Sequence, residues 1–242
     1  MIGQIASAPT GRVEQVHTVG IPDDVGASMT IELDASFDRP NAAFDGEFDF
    51  SADPGEDSPL TTWPADVPVG LRVRVVGDQV WAAQGVASDE APFRDITAAA
   101  DRALPVAQLT TIFVLVGLLA DAVDIAAPDP VEGVAATWRG LVPPEVLGDI
   151  WQEPGPVGSV TRIAGAIPTE YLEGGFVYEV ERYDDGRIRL SLWLDAERLT
   201  ANLGEPMTED LAHRVDTTWS GLGGPVAIAV PESGSVDESV AE

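Results

Sequence analysis

The 242-residue chain contains no cysteine and no lysine. The absence of Cys excludes disulfides, thiol nucleophiles and thiolate metal sites together, and leaves the redox compartment unreadable. All 13 basic residues are Arg, set against 41 Asp and Glu, so the formal charge is −28. A field this negative repels phosphate backbones and anionic headgroups, which argues against nucleic-acid binding. Only two His occur, His17 and His213, too few for a histidine-rich metal site, and neither adjoins a nucleophile motif. Both are expected at strand edges or on the surface. There is no Gly-x-Ser-x-Gly. Asp49, Ser51 and Asp53 begin an EF-hand rhythm, but Pro54 stands where that loop needs Gly and Leu60 where it needs Glu. So many carboxylates guarantee accidental pairs, and none stands out as the acid and base of a hydrolase.

What is present is a hydrophobic fraction of 45% with six Trp, which supports a full core and excludes a disordered chain. The start, Met1-Ile2-Gly3-Gln4, lacks the basic and apolar regions of a leader. Residues 1–11 read as a flexible N-terminus, 12–231 as one domain, and 232–242 as an acidic flexible tail. The longest uncharged stretch, Ala103–Ala120, is interrupted by Pro105, Gln108, Thr110, Thr111 and Gly117, so it reads as a buried helix rather than a membrane span.

Period-two alternation marks strands. Met29, Ile31, Leu33, Ala35 and Phe37 alternate with polar residues, and Phe44, Gly46, Phe48 and Phe50 repeat the pattern after Arg39-Pro40-Asn41. Leu71, Val73 and Val75 form a strand that Gly77-Asp78 turns into Gln79–Ala83. Helices are expected over Asp95–Ala103, over Val106–Val123, which is apolar on nearly all sides, and from Pro143-Pro144-Glu145 through Trp151. Strands return at Val134–Arg139, at Phe176–Tyr183 and Arg187–Leu194 around the hairpin signal Asp184-Asp185-Gly186, and at Val215–Ser220 and Val226–Val230. Gly221-Leu222-Gly223-Gly224-Pro225 is a turn between strands, since a phosphate-cradling loop would lead into a helix. The Trp residues are expected in the core, with Trp193 sharing a strand face with Arg187, Arg189 and Ser191. Strands, then helices, then strands predict an α+β fold, a large antiparallel sheet with helices on one side.

Several segments in this order resemble a known family. They are Leu71–Val76 with Gly77-Asp78-Gln79-Val80-Trp81, then Phe93–Ile96 and the apolar helical segment, then Glu132-Gly133-Val134-Ala135-Ala136-Thr137-Trp138. Asp185-Gly186-Arg187-Ile188 and Leu192-Trp193-Leu194-Asp195 follow, and Thr217-Thr218-Trp219-Ser220 with Gly224-Pro225-Val226-Ala227-Ile228-Ala229-Val230-Pro231 closes the set. Across most of residues 12–231 the chain is similar to the actinobacterial cell-envelope lipoproteins of the LppX/LprG type, related in fold to LolA and LolB. The resemblance implies a strongly curved antiparallel half-barrel with helices packed on its concave face, a LolA-like lipid-binding domain. It implies non-enzymatic carriage of a lipid or glycolipid in a hydrophobic cavity between sheet and helices, outside the cytoplasm at the cell envelope, without a cofactor. No Cys is present to bear a lipid anchor, so membrane association is expected only of a longer precursor.

Cavity-wall candidates are Ile112, Phe113, Leu115, Val116 and Leu119 from the helix and Phe48, Val73 and Leu192 from the sheet. A second reading keeps the fold but makes the chain an envelope sensor or interaction module with a protein partner. A third, a carboxylate-based hydrolase, requires an Asp or Glu with a raised pKa.

Overall fold

A computed structural model describes residues 2–20, 28–53, 70–84, 92–97, 116, 119, 122–129, 131–143, 175–194, 200 and 214–232. Among the described residues, a short helix α1 (Ile2–Ser7) is followed by eleven strands. They are β1 (Thr10–Gly20), β2 (Ser28–Asp38), β3 (Ala43–Asp53), β4 (Gly70–Val76), β5 (Gln79–Gln84), β6 (Arg94–Asp95), β7 (Val123–Ala126), β8 (Val134–Val142), β9 (Phe176–Tyr183), β10 (Ile188–Leu194) and β11 (Arg214–Ser220). All join one antiparallel sheet in the order β6-β5-β4-β3-β2-β1-β11-β10-β9-β8-β7. The chain therefore meanders from β1 out to one edge, resumes at the opposite edge, and meanders back until β11 pairs with β1. Seven residue pairs, from Arg12 opposite Ser220 to Thr18 opposite Arg214, make that central seam.

The fold is one large antiparallel sheet and not the expected α+β half-barrel with helices packed on its concave face. Of the described residues, 64% lie in strands and 7% in helix, and no helix among them reaches seven residues. Two segments read as helical each give one end residue, Asp95 and Val123, to the sheet, while Val116 inside the second is α-helical as expected. Arg94 and Asp95 pair with Ala82 and Trp81, and the Ile96 N–H donates to the Val80 carbonyl at 2.9 Å. Val123 opens β7 opposite Leu141. Pairing satisfies backbone groups that a helix would otherwise have closed internally. Most of the Asp95–Ala103, Val106–Val123 and Pro143–Trp151 readings lie outside the described residues.

Two further expectations change. Val226–Val230 forms no strand. Both edges of β11 are already taken, by β1 and β10, so the segment after it has no edge to pair with. It lies instead over the outer face, where Arg74 Nη1 donates to the Ala229 carbonyl at 3.3 Å. At the other end, Ile5 of α1 is 1% exposed and packs into the main core with Ala8, ahead of the residue at which the sequence reading starts the domain.

Candidate functional site

Side chains alternate between the two faces of a strand, so the register assigns a face to every position. One row of cross-strand partners runs Ile188, Trp219, Val13, Ala35, Gly46, Val73, Ala82 from β10 to β5. The next runs Trp138, Val180, Leu190, Thr217, Gln15, Leu33, Phe48, Leu71, and a third runs Gly140, Tyr178, Leu192, Val215, His17, Ile31, Phe50. Together they form one nearly continuous apolar face, and most of these side chains belong to a single core cluster. Two glycines in the rows have a steric reason. A Cβ at Gly46 would fall 2.5 Å from the Phe44 ring, and one at Gly140 would fall 2.7 Å from the Tyr178 ring.

The sheet-borne candidates all lie on this face: Phe48, Val73 and Leu192 are 1%, 0% and 3% exposed. Val116 and Leu119 are buried in the same cluster, joined by Ile96, Ala122 and Leu222. Ile112, Phe113 and Leu115 lie outside the described residues, as does His213.

The sequence reading missed the polar interruption of this face. Gln15, His17 and Thr217 are buried at the seam of β1 and β11, in the middle of the sheet. Gln15 Nε2 donates to Thr217 Oγ1 at 2.9 Å. His17, expected at an edge or the surface, stands on the central strand between Ile31 and Val215, where burial lowers its pKa to about 4. It is a neutral imidazole at physiological pH. One row along, Trp219 is fully buried and its indole N–H has no hydrogen-bond acceptor among the described residues.

The opposite face is polar. Asp45 accepts from Arg72 Nη2 at 3.1 Å and from Arg74 Nη2 at 2.6 Å. Burial pushes the Asp45 carboxyl up, but these two guanidinium groups outweigh it and hold it below its ordinary value. Asp216 is likewise raised by burial and pulled further down by Arg214, Ser191 and Arg189. Asp95 is lowered by its hydrogen bonds with Thr97, and Asp185 by the backbone and side chain of Arg187. A general acid needs a shift in the other direction. Trp193 lies half-buried between Arg139 and Arg214, whose guanidinium carbons are 5.3 and 5.4 Å from its rings. A cavity of about 320 Å³ separates Pro225–Ile228 from Arg12, Asp34, Ser36, Asp45, Glu47 and Arg72.

Among the described residues, no group of three or more His, Asp or Glu is placed to hold a metal ion, and no helix is long and apolar enough to cross a membrane. Asp49, Ser51 and Asp53 all lie within strand β3. No protein-family profile matches the sequence, and no curated protein matches it.

Proposed function

We propose that this protein is a non-enzymatic lipid carrier that lays the acyl chains of a lipid or glycolipid along the apolar face of its sheet. The single observation behind the reading is the breadth of that face, which runs in register from Trp138 on β8 through Phe48 on β3 to Leu71 on β4. These side chains are buried, so an acyl chain would have to enter the interior against them, and each CH₂ so transferred from water contributes about 0.8 kcal/mol. Placement at the cell envelope rests on the resemblance to the LppX/LprG-type lipoproteins.

The test is native mass spectrometry of the full chain purified from its native host, followed by solvent extraction and lipid identification. A stoichiometric adduct of lipid mass is expected. Val116→Trp, which enlarges a side chain only 3% exposed within the apolar cluster, is expected to fold and to lose most of that adduct. A chain that never carries lipid, together with a Val116→Trp variant that cannot fold, is the behaviour of a solid core and would end this reading. In that event the second reading takes over, an envelope module that binds a protein. The half-buried Trp193 flanked by Arg139 and Arg214 favours it, because Trp and Arg dominate the energetics of protein interfaces.

A further inference from the structure

Gln15, His17, Thr217 and Trp219 place polar groups at the centre of the apolar face, and three of them have a ready account. Gln15 and Thr217 satisfy each other across the seam, and cross-strand polar pairs of this kind help fix register. His17, two residues along β1, is neutral. Trp219 is different. Its ring is 0% exposed, set between Val13 and Ile188 on the neighbouring strands, and its Nε1–H is buried without an acceptor among the described residues. Indole offers a donor and no acceptor, and a buried Trp N–H nearly always finds a partner. Leaving a buried donor unpaired is a cost that native structures avoid almost everywhere.

We infer that the Trp219 indole N–H is the polar recognition point for the lipid, donating a hydrogen bond to a neutral acceptor such as the ester or amide carbonyl where an acyl chain begins. This rests on the lipid-carrier reading and narrows its ligand class. The acceptor is neutral for two reasons. A carboxylate placed on this face would be desolvated beside a histidine that carries no charge to compensate it. It would also enter the field of a chain bearing 28 net negative charges. Ester- or amide-linked acyl lipids are therefore favoured over free fatty acids. Gln15 and Thr217, one row from Trp219, extend the polar stripe along the seam for the atoms next to that carbonyl.

The full chain labelled with ¹⁵N at the indole nitrogens provides the measurement. The Trp219 resonance is assigned from the peak that Trp219→Phe removes. Two probes of equal chain length are added separately, a fatty-acid methyl ester and the corresponding alkane, and each affinity is read by displacement of a fluorescent apolar dye. The ester is expected to move the Trp219 Nε1–H resonance downfield, and the alkane to bind without doing so. Trp219→Phe is expected to weaken the ester about fivefold to tenfold, the size of one net hydrogen bond, and to leave the alkane within about twofold. If the ester binds with the Trp219 resonance unmoved, or the variant weakens both probes alike, the recognition point is wrong while the carrier reading stands. If neither probe binds, both fail together. Should Trp219→Phe not fold, the native resonance is assigned from its proximity to Val13 and Ile188, and its response to the two probes decides the matter.

Discussion

His17 couples the packing of one side chain to pH. Its imidazole is held neutral because β1 is the central strand and the ring is shut between Ile31 and Val215. Its folded pKa is about 4, against 6.5 for an unperturbed imidazole. The unfolded chain therefore binds more protons than the folded chain between those values. The neutral site's contribution is fully present above pH 6.5 and is lost as the pH falls toward 4. The difference corresponds to about 3 kcal/mol. Urea titrations across this range are expected to show the native chain losing roughly that much relative to His17→Leu. The comparison with the variant matters because acidification also relieves repulsion among the carboxylates. Parallel pH profiles for the two proteins would mean that the ring is solvated. At this scale the sequence was half legible. Alternation in the sequence offered Phe48, Val73 and Leu192 as inward candidates, and the register sets all three on the buried face. Alternation missed Gln15 and His17, because polar residues at inward positions erase the signal that marks β1 as a strand.

Elements were legible where a turn and an alternating run coincide. The β9–β10 hairpin is the clearest case: Asp184-Asp185-Gly186 announces it, and the structure places Gly186 at φ +88°. Asp185 accepts from the backbone N–H of Arg187 at 3.0 Å, which braces the turn. A Cβ at Gly186 would meet nothing within 4 Å, so the cost of Gly186→Ala is conformational alone. We expect a loss of about 1–2 kcal/mol in chemical denaturation, the usual penalty for an L-residue in a left-handed conformation. An unchanged midpoint would show that the turn relaxes to another type. The opposite failures have topological causes. Val226–Val230 has the composition of a strand, yet no free edge of β11 awaits it. Val123 completes an apolar helical periodicity, yet it opens an edge strand whose pairing with β8 is irregular and where Asp124 takes φ +55°. Composition cannot report which edges are occupied, since occupancy depends on strands over a hundred residues away.

On the scale of the whole molecule the outstanding term is charge, and the sheet concentrates it. The register sets Asp34 directly opposite both Glu14 and Glu47, and Glu32 opposite Asp49 in the adjoining row. All five carboxylates are exposed on the outer face. Like charges facing each other across strands are destabilising, each pair by up to about 1 kcal/mol. The general repulsion of the −28 chain adds to this. At about 10 mM salt the screening length is near 30 Å, so the patch and the net charge both act, whereas near 1 M it shrinks to about 3 Å and neither does. The thermal midpoint is therefore expected to climb steadily between these limits. Asp34→Arg, which turns two repulsive pairs into attractive ones, is expected to stabilise the fold by about 1 kcal/mol at low salt. That gain should shrink severalfold at high salt, because the same screening removes the repulsion it relieves. A salt-independent gain would assign the effect to packing of the Arg side chain. A midpoint that stays flat from low to high salt would mean that bound cations already neutralise the outer face.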